Sequence, residues 1–304
     1  MNRRILPLIL VASACGAPPR APAPAAATPV AQAPTAPAAS SPDDFSRTLA
    51  KLPLDDIGSL DAAFSAFERH MAGADDSAIA TAVDELIEFL GRAAHRIREV
   101  KLARDPAIDD TQCELTKRCD AKEMTPLPET VAVLDELLAR GVKVVYAGEG
   151  TTDLVPDEMA LVKRLGNLLP PAESAYLHAV RWEADNVLWD DGMFMSSVDD
   201  IARAAWQWEA IAIDYPDSPR AAAAGERAAV LIERYLSLCT NEQVNDPPCN
   251  PIVPALIASY ESFAARYPRS RYTGAVQTFV QTAKNKKLVL SLEEVERLAS
   301  QTKR

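Results

Sequence analysis

Glycine is scarce in this chain of 304 residues, with 11 in all, and only three histidines are present. So little glycine leaves no phosphate-cradling loop. Neither a Gly-x-Ser-x-Gly elbow nor a dinucleotide-binding fingerprint occurs. His70, His95 and His178 stand far apart and form no paired-ligand pattern, so each reads as a surface or interior histidine rather than a ligand. Lys and Arg never form a continuous run. Acids outnumber them 43 to 32, for a formal charge of −11. Nucleic acid is therefore not an expected partner, because a binder needs a basic surface to displace counterions. Apolar runs of about 20 residues, the length a membrane-spanning helix requires, are missing as well. Aromatic residues make up 6% of the chain, while alanine is abundant; that balance favours helices over sheets.

What is present begins at the N-terminus. Arg3 and Arg4 precede a short apolar stretch, Ile5 to Val11, and then Ala12-Ser13-Ala14-Cys15. This is the layout of an export signal spanning residues 1–14, too short to cross a bilayer. The small residues directly before a cysteine resemble the lipobox of bacterial lipoproteins, with Ala12 where that family usually has leucine. The resemblance implies that Cys15 is lipidated by diacylglycerol and an N-acyl chain such as palmitate. It also implies cleavage before Cys15, which removes two arginines and no acid and takes the formal charge to −13. Gly16 after the cysteine implies outer-membrane placement facing the periplasm, with the cell surface as the alternative. The competing expectation is an ordinary secretory signal that leaves a free thiol.

Residues 15–42 carry the lipidated cysteine and a tether. Of the 27 residues from Gly16 to Pro42, 8 are proline and 11 are alanine, and Arg20 is the only charge. Nothing there nucleates a core, so a disordered or polyproline spacer is expected. At about 3.1 Å per residue it would reach about 80 Å.

From Asp43 the composition changes. Helices are expected over Ser59 to Gly73, Asp75 to Leu102 and Thr125 to Arg140. The second is the clearest, with Ile79, Val83, Leu86, Leu90, Ala94 and Ile97 on one stripe. Alternation at Val142, Val144 and Tyr146, the Gly148-Glu149-Gly150 turn and Thr151 to Val155 suggest a hairpin over 142–155. Pro170-Pro171 divides an N-terminal helical region, 43–170, from a second region, 171–304. There, helices are expected over Ala172 to Trp189, Val198 to Tyr215, Arg220 to Leu238, Pro251 to Tyr267, Tyr272 to Lys286 and Ser291 to Gln301.

Two segments repeat at an offset of 52 residues. Trp208-Glu209 leads to Tyr215-Pro216-Asp217-Ser218, and Tyr260-Glu261 leads to Tyr267-Pro268-Arg269-Ser270. A helix must end before proline, and the serine is expected to cap the next helix. Each copy is thus a helix–turn–helix unit, and stacked units share a core. The fold expected is all-α, built from such units with one small β-hairpin. The pattern over about 200–285 resembles the tetratricopeptide-like repeats of periplasmic lipoproteins such as the barrel-assembly lipoprotein and the Tol–Pal coordinator.

Four further cysteines form two local pairs, Cys113 with Cys119 and Cys239 with Cys249. They read as disulfides, with the local connectivity favoured. Their spacing fits zinc poorly. Glu183, Asp185, Asp190 and Asp191 cluster around Trp182 and Trp189, which helical spacing would place on one face; Glu149 sits in the turn. Such acids could line a cleft, or form a solvated face. Trp206, Trp208 and Tyr260 are candidate partner-binding anchors, with core packing the competing role. No cofactor is expected. The function these readings imply is that of a lipid-anchored scaffold for an envelope protein partner; the rival is a cell-wall binder or enzyme using an acidic cleft.

Overall fold

The structure, a computed structural model, describes residues 42–105, 126–148, 151–186, 188–190, 193–194, 196–238, 254–287 and 297–299. The export signal, the lipidation candidate Cys15, nearly all of the tether and Glu149 lie outside the described residues. So do all four cysteines of the expected disulfides. Neither Cys113 nor Cys119 of the first pair is described, and neither Cys239 nor Cys249 of the second. The described residues are predominantly helical with a small antiparallel hairpin, so the fold is all-α in the sense expected. None of the described helices is long and apolar enough to cross a membrane.

In the first half, α1 (Pro42–Leu49), α2 (Gly58–Met71) and α3 (Asp76–Ile97) pack together. Helix α1 begins where the proline-rich stretch ends and is not among the helices expected; Phe45 and Leu49, one turn apart, bury its inner face. Asp75 caps α3 by accepting the Ala78 N–H at 2.8 Å. The expected stripe is the buried face of that helix. A π-helical turn, Arg98–Leu102, continues it.

Helix α4 (Pro128–Ala139) follows, and Gly141 reverses the chain with φ +83°. A side chain at Gly141 would press on the Phe64 ring as well as straining the backbone. Strand β1 (Val142–Gly148) pairs antiparallel with β2 (Thr151–Pro156), Val144 opposite Leu154. The hairpin lies against α3, which supplies the surface an isolated hairpin needs. Its apolar face departs from simple alternation. Lys143 is buried in an ion pair with Glu158 at 2.8 Å, while Val144 stands exposed. Helix α5 (Glu158–Leu165) is also absent from the expected set, although Asp157 caps it and Leu161 and Leu165 bury one side. In the sequence, Pro156 marks only an ending.

Helix α6 (Pro171–Asp185) belongs to two cores: Leu177 packs with the first half and Ala179 with the second. It ends four residues before the expected limit. Trp189 is not helical; it sits in a two-residue strand, β3 (Trp189–Asp190), paired with β4 (Met193–Phe194). The expectation that Trp182 and Trp189 share a helix face is therefore overturned. Asn186 closes the helix by donating its side-chain amide to the Trp182 carbonyl at 2.7 Å.

The second half holds α7 (Val198–Asp214), α8 (Ala221–Ser237), α9 (Pro254–Arg266) and α10 (Thr273–Asn285), paired α7 with α8 and α9 with α10. Leu298 and Ala299 near the C-terminus also reach this core.

Candidate functional site

The repeat is the feature the sequence singles out, and its two turns are bonded alike. Helix α7 starts with a reciprocal cap between Ser197 and Asp200 and ends at Tyr215, whose extended φ of −132° suits a residue before proline. The Ser218 N–H donates to the Tyr215 carbonyl at 3.0 Å, as the Ser270 N–H does to Tyr267 at 3.0 Å. Neither serine is the helix cap expected. Each hydroxyl instead accepts an N–H two residues on, from Arg220 and from Tyr272, both at 3.2 Å, and tightens the turn itself. The following helices start at those N–H groups without a side-chain cap.

The paired glutamates differ. Glu209 of the first copy is 2% exposed and accepts the Arg271 N–H at 2.8 Å, so one unit holds the turn of the next. Burial raises its carboxyl above the ordinary 4.5, against the opposing pull of Ser270 and Arg271. Glu261, its counterpart, has a side chain 44% exposed and pairs with Lys284 of its own unit. On α10, Gln277, Thr278, Gln281, Lys284 and Asn285 form an exposed polar face.

Packing decides the three candidate anchors. Trp208 and Tyr260 are 5% and 1% exposed, which takes both out of any partner-facing surface. Trp208 donates its Nε1–H to Glu183 at 2.9 Å and meets Tyr176 edge-on. Tyr260 donates to the Tyr235 carbonyl at 2.7 Å. Only Trp206 stays half-buried at the surface, stacked with Tyr267 at 5.7 Å between ring centres. The Arg269 guanidinium lies 5.5 Å from the Trp206 ring centre and pairs with Asp214.

The acidic cluster does not assemble. Glu183 is engaged by Trp208 and Arg227. Asp185 pairs with Arg181 at 2.6 Å. The side chains of Asp190 and Asp191 lie outside those described. The histidines are also dispersed: His70 lies by Thr48, His95 by Glu99, and His178 by the Ser174 carbonyl. Among the described residues no group of three or more His, Cys, Asp or Glu is placed to hold a metal ion. The lipidation residue Cys15 and the disulfide candidates Cys113, Cys119, Cys239 and Cys249 lie outside those residues, so their chemistry rests on the sequence.

Two polar clusters escape the sequence. Where α9 meets α7 and α8 the Ser259 hydroxyl donates to Asp199 at 2.5 Å and is bonded to the Tyr235 hydroxyl at 2.8 Å, while Arg266 pairs with the same aspartate at 2.8 Å. Arg266 and Ser259 hold the Asp199 carboxyl below its ordinary 3.8, and burial pushes the Tyr235 hydroxyl up. At the joint between halves, Arg220 grips Glu173 of α6 with two bonds of 2.7 Å. The same guanidinium grips Asp84 of α3 at 2.9 and 2.7 Å and donates to the Ala80 carbonyl. It also lies 4.4 Å from the Tyr176 ring centre. Glu173 is itself buried. The one clue in the sequence is that Arg220 occupies the position filled by Tyr272 in the second copy.

No family model, no curated protein and no solved structure matches this chain.

Proposed function

We propose that this chain is a lipid-anchored scaffold or adaptor of the bacterial envelope, held by Cys15 at the outer membrane and facing the periplasm. In this reading it presents a surface of stacked helix pairs to a protein partner, in outer-membrane assembly or envelope maintenance. One observation carries the reading: Glu209 bonds to the turn of the following unit, which joins two helix–turn–helix pairs into one continuous surface. The lipobox-like Ala12-Ser13-Ala14-Cys15 supports the anchor. The face around Trp206, with exposed Arg203 and Arg269, is the part of that surface left for a partner once Trp208 and Tyr260 are assigned to the core. Engagement of Glu183 and Asp185 by arginines weighs against the rival reading of an acidic cell-wall cleft.

The test is crosslinking in the cell followed by mass spectrometry. The wild type is compared with a variant carrying both Arg203→Glu and Arg269→Glu, and with Cys15→Ser. The expected result is a reproducible envelope protein lost in the charge-reversed variant and reduced without the anchor. Equal capture by the charge-reversed variant overturns the assignment of the face. Recovery of wall fragments in place of a protein favours the rival.

A further inference from the structure

The end of α3 is a positive pole on an acidic protein. Between Arg92 and Arg104 stand Arg92, Arg96, Arg98, Lys101 and Arg104, with Glu99 the one acid. Five of the chain's 32 basic residues thus fall in this short stretch, against one of its 43 acids. His95 joins them on the exposed side. Glu99 is already bonded to Arg96 at 2.8 Å and to His95 at 3.3 Å. Lys101 and Arg104 are exposed and make no ion pair with any described residue.

Cations suit the C-terminal end of a helix dipole, which accounts for some of these residues. It does not account for the apolar side chain among them. Val100, on the π-helical turn, is 52% exposed, the highest value for a large apolar residue among the described residues. Helix α4 packs against this turn, but its own exposed valine, Val131, stands beside the exposed acids Glu129 and Asp135 and lies outside the positive pole. The turn is held in place from behind. Leu102 is buried, and the buried Asp105 accepts the Leu127 N–H at 2.7 Å, tying the start of α4 to the end of α3. π-Helical turns recur at functional positions.

We infer that this pole, Arg92 to Arg104 with Val100 at its centre, is a docking surface for an anionic phospholipid membrane. Val100, standing out with the exposed Arg96 and Arg104 four residues to either side, matches a surface that sits among headgroups: the apolar group enters the acyl boundary while arginine and lysine meet phosphates. An acidic protein segment would use the cations and leave Val100 without a role. The inference extends the proposed envelope location, since an anchored chain already lies near such a surface. Its own test does not depend on lipidation.

That test uses the full chain carrying Cys15→Ser, which cannot be acylated. Its partitioning is measured onto phosphatidylcholine vesicles and onto equimolar phosphatidylglycerol and phosphatidylcholine vesicles, at low and high salt. The leader, with Arg3 and Arg4, is common to every variant, so comparing their ratios between the two vesicle types removes its contribution. The wild-type surface should favour the anionic vesicles, and salt should weaken the preference. Lys101→Gln combined with Arg104→Gln should lower the ratio about thirtyfold, at the usual contribution of a basic residue near an anionic bilayer. Val100→Ser should lower binding to the anionic vesicles while leaving its salt dependence intact. Both changes are at exposed positions, and circular dichroism confirms the fold. An unchanged ratio in the double variant overturns the inference. So does binding of a polyglutamate peptide that the double variant loses while its vesicle ratio stays unchanged, which would assign the pole to an acidic protein.

Discussion

The two halves of this molecule solve the same packing problem with different chemistry. The first half buries Phe45, Leu60, Phe64, Phe67, Leu86, Phe89 and Leu90 and keeps the pairs of Asp61 with Arg140 and Arg164 nearer the rim, with Lys143 and Glu158 as its buried ion pair. The second half buries Tyr235, Tyr260, Ser259 and Glu209, each with a named partner. An aliphatic and phenyl core is non-directional, and each fully buried side chain contributes about 1.5–3 kcal/mol. A hydroxyl or carboxylate core is directional. Its groups add little net stability when paired but cost heavily when a partner is lost. Both halves rest on an apolar core, and the second adds buried directional bonds that hold one register between its units.

Arg220 joins the two and should show the largest effect. Replacing it with alanine leaves Glu173 buried without a cation, at an expected cost of about 3–5 kcal/mol. Adding Glu173→Leu should recover much of that loss in denaturant unfolding. A loss as large in the double variant would mean that the joint works by packing alone. In the first half, Leu86→Ala should cost about 3 kcal/mol and Leu86→Met under about 1.5, because volume matters there more than shape. Equal losses would erase the contrast between the halves.

The repeat glutamates sharpen it further. Glu209→Ala strands the Arg271 N–H inside the molecule and should cost about 1–3 kcal/mol, whereas Glu261→Ala should stay within about 0.5. Thermal unfolding of the two variants measures the difference.

The smallest effect concerns pH. Asp199 is held below its ordinary 3.8, chiefly by its bonds to Arg266 and Ser259, so its contribution is complete above that value and is lost as pH falls through the lower one. Glu173 and Glu209 go the other way. Burial raises both, so their favourable contribution exists below about 4.5 and fades as pH rises through the raised values. Asp199→Asn should therefore flatten the acid limb of the stability profile, and Glu209→Gln should flatten the limb above it.

Much of the architecture is legible because local rules govern it. The α3 stripe, the stops before Pro216 and Pro268 and the turn at Gly141 follow from side-chain spacing and backbone stereochemistry. Helices α1 and α5 escape because two short turns give periodicity too few residues to register. Helical spacing carries Trp189 into α6 because it continues past Asp185, where the Asn186 side chain bonds back and ends the helix. For the candidate site, the repeat is visible but the fate of its residues is not. Trp206 and Trp208 are two positions apart with the same chemistry, yet one is half-buried against Tyr267 and the other is buried on Glu183.

By itself, then, the sequence determined the longer helices, the stops before proline and that the chain contains a duplicated unit, since those depend on neighbours within a few positions. The tertiary structure alone decided that Trp208 and Tyr260 are core, that Glu209 and Glu261 part company, and that Arg220 binds two carboxylates, one of them 136 positions away in the chain. Burial and pairing depend on which helix faces arrive opposite each other, and that arrangement is set by the whole packed core rather than by spacing along one element.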